Sequence, residues 1–502
     1  STFMSTRKTS SETPLLDTIE VADKSRFETD LDLFLREQNP KRALALWLTS
    51  LSGNTHPQSR LITTLASDIA DLDELITDQI NAILHAPKFQ AMEARWRGLK
   101  LLTDETPHSK KCKVKLLDIT WKEISRDQQK ALEFDQSQLF QKIYSEEYGT
   151  PGGEPYGLII GDYEVSHKPS KAHPNDDMAT MKCLSQIAAA SFSPIILGVA
   201  PALFGVDQHA DLNITLNYAQ IFKQDEYIKW RAFRDTEDSR FLGLVLPRIL
   251  LRAPWRTKSS TFEGISYIED AGHADARNYL WGNAAFAFGM IILREYNSVG
   301  WFSHIRGTPR NQLGGGLVSQ LPVVNFDSDA PNVAQKPVTN TIITDELERE
   351  LSEHGFIPLC QCYDTPYASF HSNASSQKPK QYQSPTATIN AKLSSMLQHI
   401  LCASRFAHYI KVMVRDKVGS FMSAAECETY LERWLSEYVT GTGGLDWEMQ
   451  ARYPLRDASV SIIERPDKPG CYNSIIHLRP HYQLDQMVSE LKLTTELTSA
   501  AT

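Results

Sequence analysis

The chain has 502 residues, 41% hydrophobic and 23% charged, with 61 acidic side chains against 52 basic ones and a formal charge of -9. That length predicts two large or three ordinary domains around a substantial core, and the composition excludes collagen-like and wholly disordered chains. The acidic balance argues against tracking a phosphate backbone, which needs a dominant basic face, so nucleic acid is not an expected partner.

Residues 1–24 are polar and rich in Ser and Thr, and read as a disordered tail without the apolar core of a secretory signal. A helical arm follows over residues 25–112. Leu33, Phe34, Leu44, Trp47 and Leu48 mark its first part, broken at Pro40. Ile62, Leu65, Ile69, Leu72, Ile76, Gln79 and Ile83 then recur at spacings of three and four, a heptad seam with one polar position. His85-Ala86-Pro87 ends that helix, and Phe89, Met92, Trp96 and Leu99 repeat the spacing in the next. Such a seam packs within the chain or pairs with another, and the residues leave both open.

Over residues 113–390 the character changes. VKLLDIT (114–120), YGLIIGDYEV (156–165), PIILGVA (194–200), FLGLVLPRILL (241–251), LPVVNF (321–326) and FIPLCQC (356–362) read as buried strands. Helical stretches around 176–190, 279–296 and 344–354 separate them, which predicts a mixed α/β sheet covered on both faces. Cys183–Val206 carries no charge, but Pro194, Gly198, Pro201 and Gly205 would break a spanning helix, so no membrane insertion is expected.

Residues 391–502 read as a small α+β domain. Helices over Leu397–Lys417 and Ser423–Val439, the latter ended by GTGG (441–444), precede two strands, 458–465 and 471–479, joined by the turn PDKPG (466–470). The hairpin is apolar on both faces, with Val460 and Ile462 on one, Ile463 on the other, and Ile475 and Ile476 split likewise. Two strands with two open edges call for more, from this chain or by strand addition from others. In the second helix Glu428 and Glu432 form a like-charge i, i+4 pair beside Glu426. The first carries a basic stripe of His408, Lys411 and Arg415. Solvation explains either stripe, and so does a complementary partner.

Catalytic signatures are missing. The sequence has no P-loop, no G-x-G-x-x-G, no H-E-x-x-H and no G-x-S-x-G. Leu313–Leu317 reads as a turn or close backbone approach, Asp327 and Asp329 as solvated carboxylates, and Cys360 and Cys362 as buried thiols. No enzyme, cofactor or metal is expected.

Seven strings in order resemble one family: NAILHAPKFQAMEARWRGLKLL (81–102), YGLIIGDYEVSH (156–167), PRILLRAPW (247–255), NYLWGNAAFAF (278–288), GGGLVSQLPV (314–323), ELSEHGFIPLCQC (350–362) and SRFAHYIKVMVRDKVGSF (404–421). The chain is similar, from about residue 60 to about residue 495, to the large sheath subunit of the bacterial type VI secretion system, the TssC/VipB/ImpC family. Residues 1–55 depart from it, so the role of that segment stays open. The resemblance implies a structural protein that pairs with a small sheath subunit. Heterodimers stack as hexameric rings around an inner tube on a membrane-anchored baseplate in the cytoplasm, and contract to drive the tube outward. An AAA+ ATPase acting mainly through the small subunit would disassemble the result.

The resemblance also gives roles to residues. The 62–83 seam falls in the arm that pairs with the small subunit. Val460, Ile462, Ile463, Ile475, Ile476 and Leu478 fall in a "handshake" sheet whose hairpin is completed by strands of partner chains. Glu426, Glu428 and Glu432 fall where an acidic helix faces the tube, with His408, Lys411 and Arg415 as the competing contact stripe. The alternatives are a subunit of another contractile injection system or phage tail, against which the 81–90 and 404–417 strings argue, and an adaptor that does not polymerise.

Overall fold

Two runs of five fully buried residues, β2 (Ile195–Val199) and β3 (Leu242–Leu246), form the centre of the sheet. Strand alternation sends their side chains to opposite faces. Ile195, Leu197, Val199, Leu242, Leu244 and Leu246 enter one core, and Ile196 and Val245 enter another. Helix Asp177–Ser191 supplies Met178, Met181, Leu184 and Ile187 to the first, and helix Ala285–Val299 supplies Phe288, Ile291 and Ile292 to the second. At about 1.5–3 kcal/mol for each large side chain buried, strands sealed on both faces are the most strongly held part of the fold.

In the computed structural model, the described residues are 24–51, 61–106, 111–214, 216–256, 265, 267–271, 278–308, 313–324, 336–363, 365–417, 423–441, 446–464, 466, 471–481 and 491–498. The expected tail 1–24 lies almost wholly outside them, as do Asp327, Asp329 and most of the GTGG and PDKPG turns. The chain divides into two units. One takes the residues through Phe89 with Pro254–Ala271, and the other takes Gln90–Ala253 with the residues from Gly272 onward.

The first unit is helical. Lys24–Arg36 precedes Pro40–Leu46, which continues as a π-helical turn over Trp47–Leu51. Pro40 occupies the first turn, where no backbone donor is needed, and Asn39 caps it through Lys41 N at 3.0 Å. The heptad helix runs over Leu61–Leu84. Its C-terminal end is held by Tyr267, whose hydroxyl donates to Asn81 Oδ1 at 2.8 Å, and by His85, whose Nε2 donates to Glu269 Oε1 at 3.2 Å.

The second unit holds the sheets. Six strands lie in the order β1-β2-β3-β7-β8-β6, with β1 (Ile159–Val165), β2, β3 and β7 (Ile357–Gln361) parallel. β8 (Ala368–Phe370) runs antiparallel to both β7 and β6 (Leu317–Val318). β4 (Ile249–Arg252) and β5 (Leu280–Gly282) form a separate antiparallel pair. Before β6, Gly316 passes so close to Phe370 and Arg306 that a Cβ would sit 2.2 Å from the Phe370 carbonyl oxygen. The glycine run is therefore a close backbone approach.

Three expectations need correction. Residues 114–120 run extended without joining a ladder, and Leu116 is 68% exposed. Lys113 and Lys115 tie the segment to Glu154 and Glu147 at 2.6 and 2.8 Å, side chain to side chain, so an apolar run is present without a backbone partner. Residues 321–324 likewise form no strand. The C-terminal hairpin, β9 (Leu455–Glu464) and β10 (Cys471–Pro480), is not left with two open edges, because β11 (Leu491–Thr498) of the same chain pairs antiparallel along β10.

The basic stripe is also not a contact face. His408, Lys411 and Arg415 share one side of helix Leu397–Lys417, and that side packs on the turns around residues 141–150. His408 is buried, donates from Nε2 to the Ser191 carbonyl at 3.1 Å, and is kept neutral by burial, its pKa pushed down to about 3. Arg415 Nη1 reaches the carbonyls of Glu147, Tyr148 and Thr150 at 3.3–3.4 Å. Lys411 Nζ lies 5.0 Å from the ring centres of Tyr144, Tyr148 and Phe192. Burial pushes the Lys411 pKa down to about 8.

That depression has a sign. Below pH 8 both folded and unfolded chains hold the proton, and the fold bears the full cost of a buried cation. Between about pH 8 and the ordinary lysine value the unfolded chain binds more protons, so stability rises with pH. Lys411→Met is expected to be more stable than the parent at pH 7 by about 1–3 kcal/mol, a gap that shrinks by pH 10, in paired urea denaturations.

Candidate assembly surfaces

The C-terminal sheet rests on two helices through a third core. Val460, Ile476 and Leu478 face Phe406 and Ile410 of helix Leu397–Lys417, and Leu431 and Leu435 of helix Ala424–Ser436. Trp301 stacks on Phe406 with ring centres 4.3 Å apart. The opposite face of the sheet carries Ile475, half-buried, and Ile463, 53% exposed, while Ile462 lies half-buried against the core.

The edges of this sheet differ. β10 is central, with Ile476 opposite Val460 on one side and Leu493 on the other. The outer side of β9 is pinned at both ends by the chain itself. Thr440 N donates to the Leu455 carbonyl at 3.0 Å and Leu455 N to the Tyr438 carbonyl at 3.2 Å. At the far end Ile462 N donates to Glu428 Oε2 at 2.9 Å. β11 pairs with β10 alone among the described strands and forms the other margin.

The three acidic residues therefore do different work. Ser423 and Glu426 form a reciprocal capping box, with Glu426 N on Ser423 Oγ at 3.3 Å and Ser423 N on Glu426 Oε2 at 2.8 Å. Those bonds hold the Glu426 carboxyl below the usual range. Glu428 is half-buried on the β9 edge, and Glu432, one turn on, projects from the exposed side of the helix.

A different surface lies on helix Pro87–Asp104. The expected seam of Phe89, Met92, Trp96 and Leu99 is not its packing face. Ala94, Gly98 and Leu102 are buried instead, and Trp96 stands 63% exposed. A Cβ at Gly98 would lie 2.4 Å from the Phe286 ring, so only glycine permits this approach. The signal in the sequence is the pair of small residues, Ala94 and Gly98, one turn apart on the face that Leu102 continues.

Titratable groups inside the second unit are engaged locally. Burial works against the Glu164 carboxylate, but Arg248, with two contacts of 2.6 Å, holds it below the usual range. Burial pushes the Cys360 thiol up. Among the described residues no three His, Cys, Asp or Glu side chains gather as metal ligands, and no helix is long and apolar enough to cross a membrane. Replacing Glu428 by Ala should cost about 1.5–3 kcal/mol of the C-terminal unfolding transition, and Glu432→Ala less than about 0.5 kcal/mol, in parallel denaturation curves.

Two family descriptions cover most of the chain. Residues 66–377 match the EvpB/VC_A0108 tail sheath N-terminal domain, and residues 386–497 match the EvpB/VC_A0108 tail sheath gpW/gp25-like domain. The type VI secretion system sheath protein TssC1 of Pseudomonas aeruginosa is 37% identical over 481 residues, covering 93% of this chain and 95% of that protein. With three packed cores and a sheet-edged C-terminal region on the page, these matches settle the family: the chain belongs to the type VI secretion tail sheath family and is a structural subunit of a contractile sheath.

Proposed function

We propose that the chain pairs with a small sheath subunit, and that the heterodimers polymerise as hexameric rings around an inner tube on a baseplate in the cytoplasm. The observation that carries this reading is the C-terminal sheet. It is a short stack of three strands with β11 at its margin and β9 pinned. An eight-residue marginal strand is a template for strand addition, and the reading places the inter-chain joint there. The chain's part is structural, as its membership of the tail sheath family supports.

Of the acidic residues, Glu432 is the one assigned to the tube, because Glu426 caps the helix and Glu428 holds β9. An exposed ion pair contributes about 0–1 kcal/mol, so many such contacts along a tube would template assembly yet let go on contraction.

Co-expression with a small-subunit gene, followed by negative-stain electron microscopy, tests the whole reading. Long hollow cog-like tubes containing both chains are expected, and a uniform soluble heterodimer would favour the adaptor alternative. Glu432→Lys should leave the heterodimer intact and deplete tube-filled sheaths. If that variant builds them at the parental rate, Glu432 does not face the tube.

A further inference from the structure

His167, in the turn after β1, is a buried imidazole without a settled bond. Its ring stacks on that of Tyr227, with centres 4.1 Å apart and planes 13° from parallel, and both residues are buried. Neither ring nitrogen makes a hydrogen bond of good geometry. The acceptors beside it are the Ala202 carbonyl and Glu226, whose Oε1 lies 3.4 Å from Nε2. That carboxylate is already engaged, since Lys168 Nζ donates to Glu226 Oε2 at 2.6 Å. The other charges on the neighbouring elements are committed elsewhere. Lys229 pairs with Asp176 at 2.6 Å, while Asp177 Oδ2 accepts from Ser166 N at 2.9 Å and lies 3.6 Å from His173 Nδ1. The turn Pro201–Phe204 carries no charged side chain.

A neutral ring suits this position better than a charged one. A proton would leave a cation shut off from water beside a carboxylate that Lys168 already holds. Burial outweighs Glu226 and keeps the His167 pKa below the ordinary histidine value. Two other buried histidines are fastened in the neutral form. His209 Nε2 donates to the Val199 carbonyl at 3.0 Å and His408 Nε2 to the Ser191 carbonyl at 3.1 Å. His167 has no such bond, and the 37% exposure of the Glu226 side chain gives solvent protons a route to it. We infer that the His167–Tyr227 stack is an acid-released latch, joining the turn after the edge strand β1 to helix Ile228–Arg234 while the imidazole is neutral and letting go when it takes a proton. That helix carries Trp230 and Phe233 into the first core, so the latch guards one end of it. Between the lowered value and the ordinary one of about 6.5, the opened turn binds more protons than the closed one, and closure weakens as pH falls through that window. Glu226 limits the loss by answering part of the charge, and Lys168 reduces that answer. The latch requires no partner chain, so it stands or falls apart from the assembly reading.

Hydrogen–deuterium exchange of the full chain, read by mass spectrometry across a pH series, tests this. Exchange at the His167 ring C–H should titrate with a midpoint below about 6.5, and a midpoint at or above that value overturns the inference. Backbone amides of residues 225–234, corrected for intrinsic pH dependence, should exchange about threefold faster or more at about pH 5.5 than at about pH 7.5. His167→Phe keeps a ring for the stack and cannot titrate, so it should abolish that acceleration. Glu226→Gln should lower the His167 midpoint and enlarge the acceleration, whereas Lys168→Met, which frees the carboxylate, should raise the midpoint and shrink it. Glu226 and Lys168 are exposed, so these two variants test the latch even if His167→Phe fails to fold. An acceleration that persists in His167→Phe, one that is absent from the parent, or a midpoint that neither surface variant moves overturns the latch.

Discussion

One helix, Leu397–Lys417, belongs to all three cores. Its first turns put Leu397 and Leu401 against one face of the central sheet and Ile400 into the cluster on the other. Further along, Cys402, Phe406 and Ile410 enter the cluster beneath the C-terminal sheet. Gly243 in β3 is the complementary requirement, since a Cβ there would lie 2.5 Å from Leu397. At 1.5 Å per residue the helix is a rod of about 30 Å. Close-packed interiors transmit displacement rather than absorb it, so a load on the C-terminal sheet reaches the central sheet through this rod.

The distribution of charge follows from the same packing. Three cations in the second unit are answered from within the chain: Arg248 by Glu164, Arg252 by Glu93 at 2.7 Å, and Arg415 by three carbonyls. His408 meets burial by staying neutral. Glu432 is exposed, and helix Leu61–Leu84 carries five acidic side chains and no basic one.

The parts legible in the sequence were those where one pattern has one physical meaning. PIILGVA and FLGLVL are apolar on both faces, which only a strand sealed on both sides explains, and they became β2 and β3. VKLLDIT is also rich in apolar residues but stays outside any ladder, and its Lys115 and Asp118 interrupt the two-faced apolar pattern of the buried strands. LKLTTELT was readable and was passed over. Leu491, Leu493, Thr495 and Leu497 alternate as a one-faced strand should, and β11 is that strand. The basic stripe was misread for another reason. His408, Lys411 and Arg415 look solvated by spacing, and only tertiary contact shows Tyr144 and Tyr148 standing against them. The acidic trio was read as one surface, yet a capping box and a reach of 34 residues to Ile462 separate its members.

A contractile assembly needs some contacts that hold and others that release, and the two kinds of surface proposed above would differ in that way. A strand added to an eight-residue edge gains several backbone hydrogen bonds, each with a net worth of about 0.5–1.5 kcal/mol, cooperative and little affected by salt. Ion pairs from exposed glutamates contribute about 0–1 kcal/mol each, are screened within about 10 Å, and are lost one at a time. Under the proposed reading, strand joints would outlast charge contacts when the lattice rearranges. Within the chain, the helix of residues 397–417 ties the central sheet to the C-terminal sheet. On that reading, the physical division between directional backbone pairing and diffuse acidity would let subunits remain linked to one another while loosening from what they enclose.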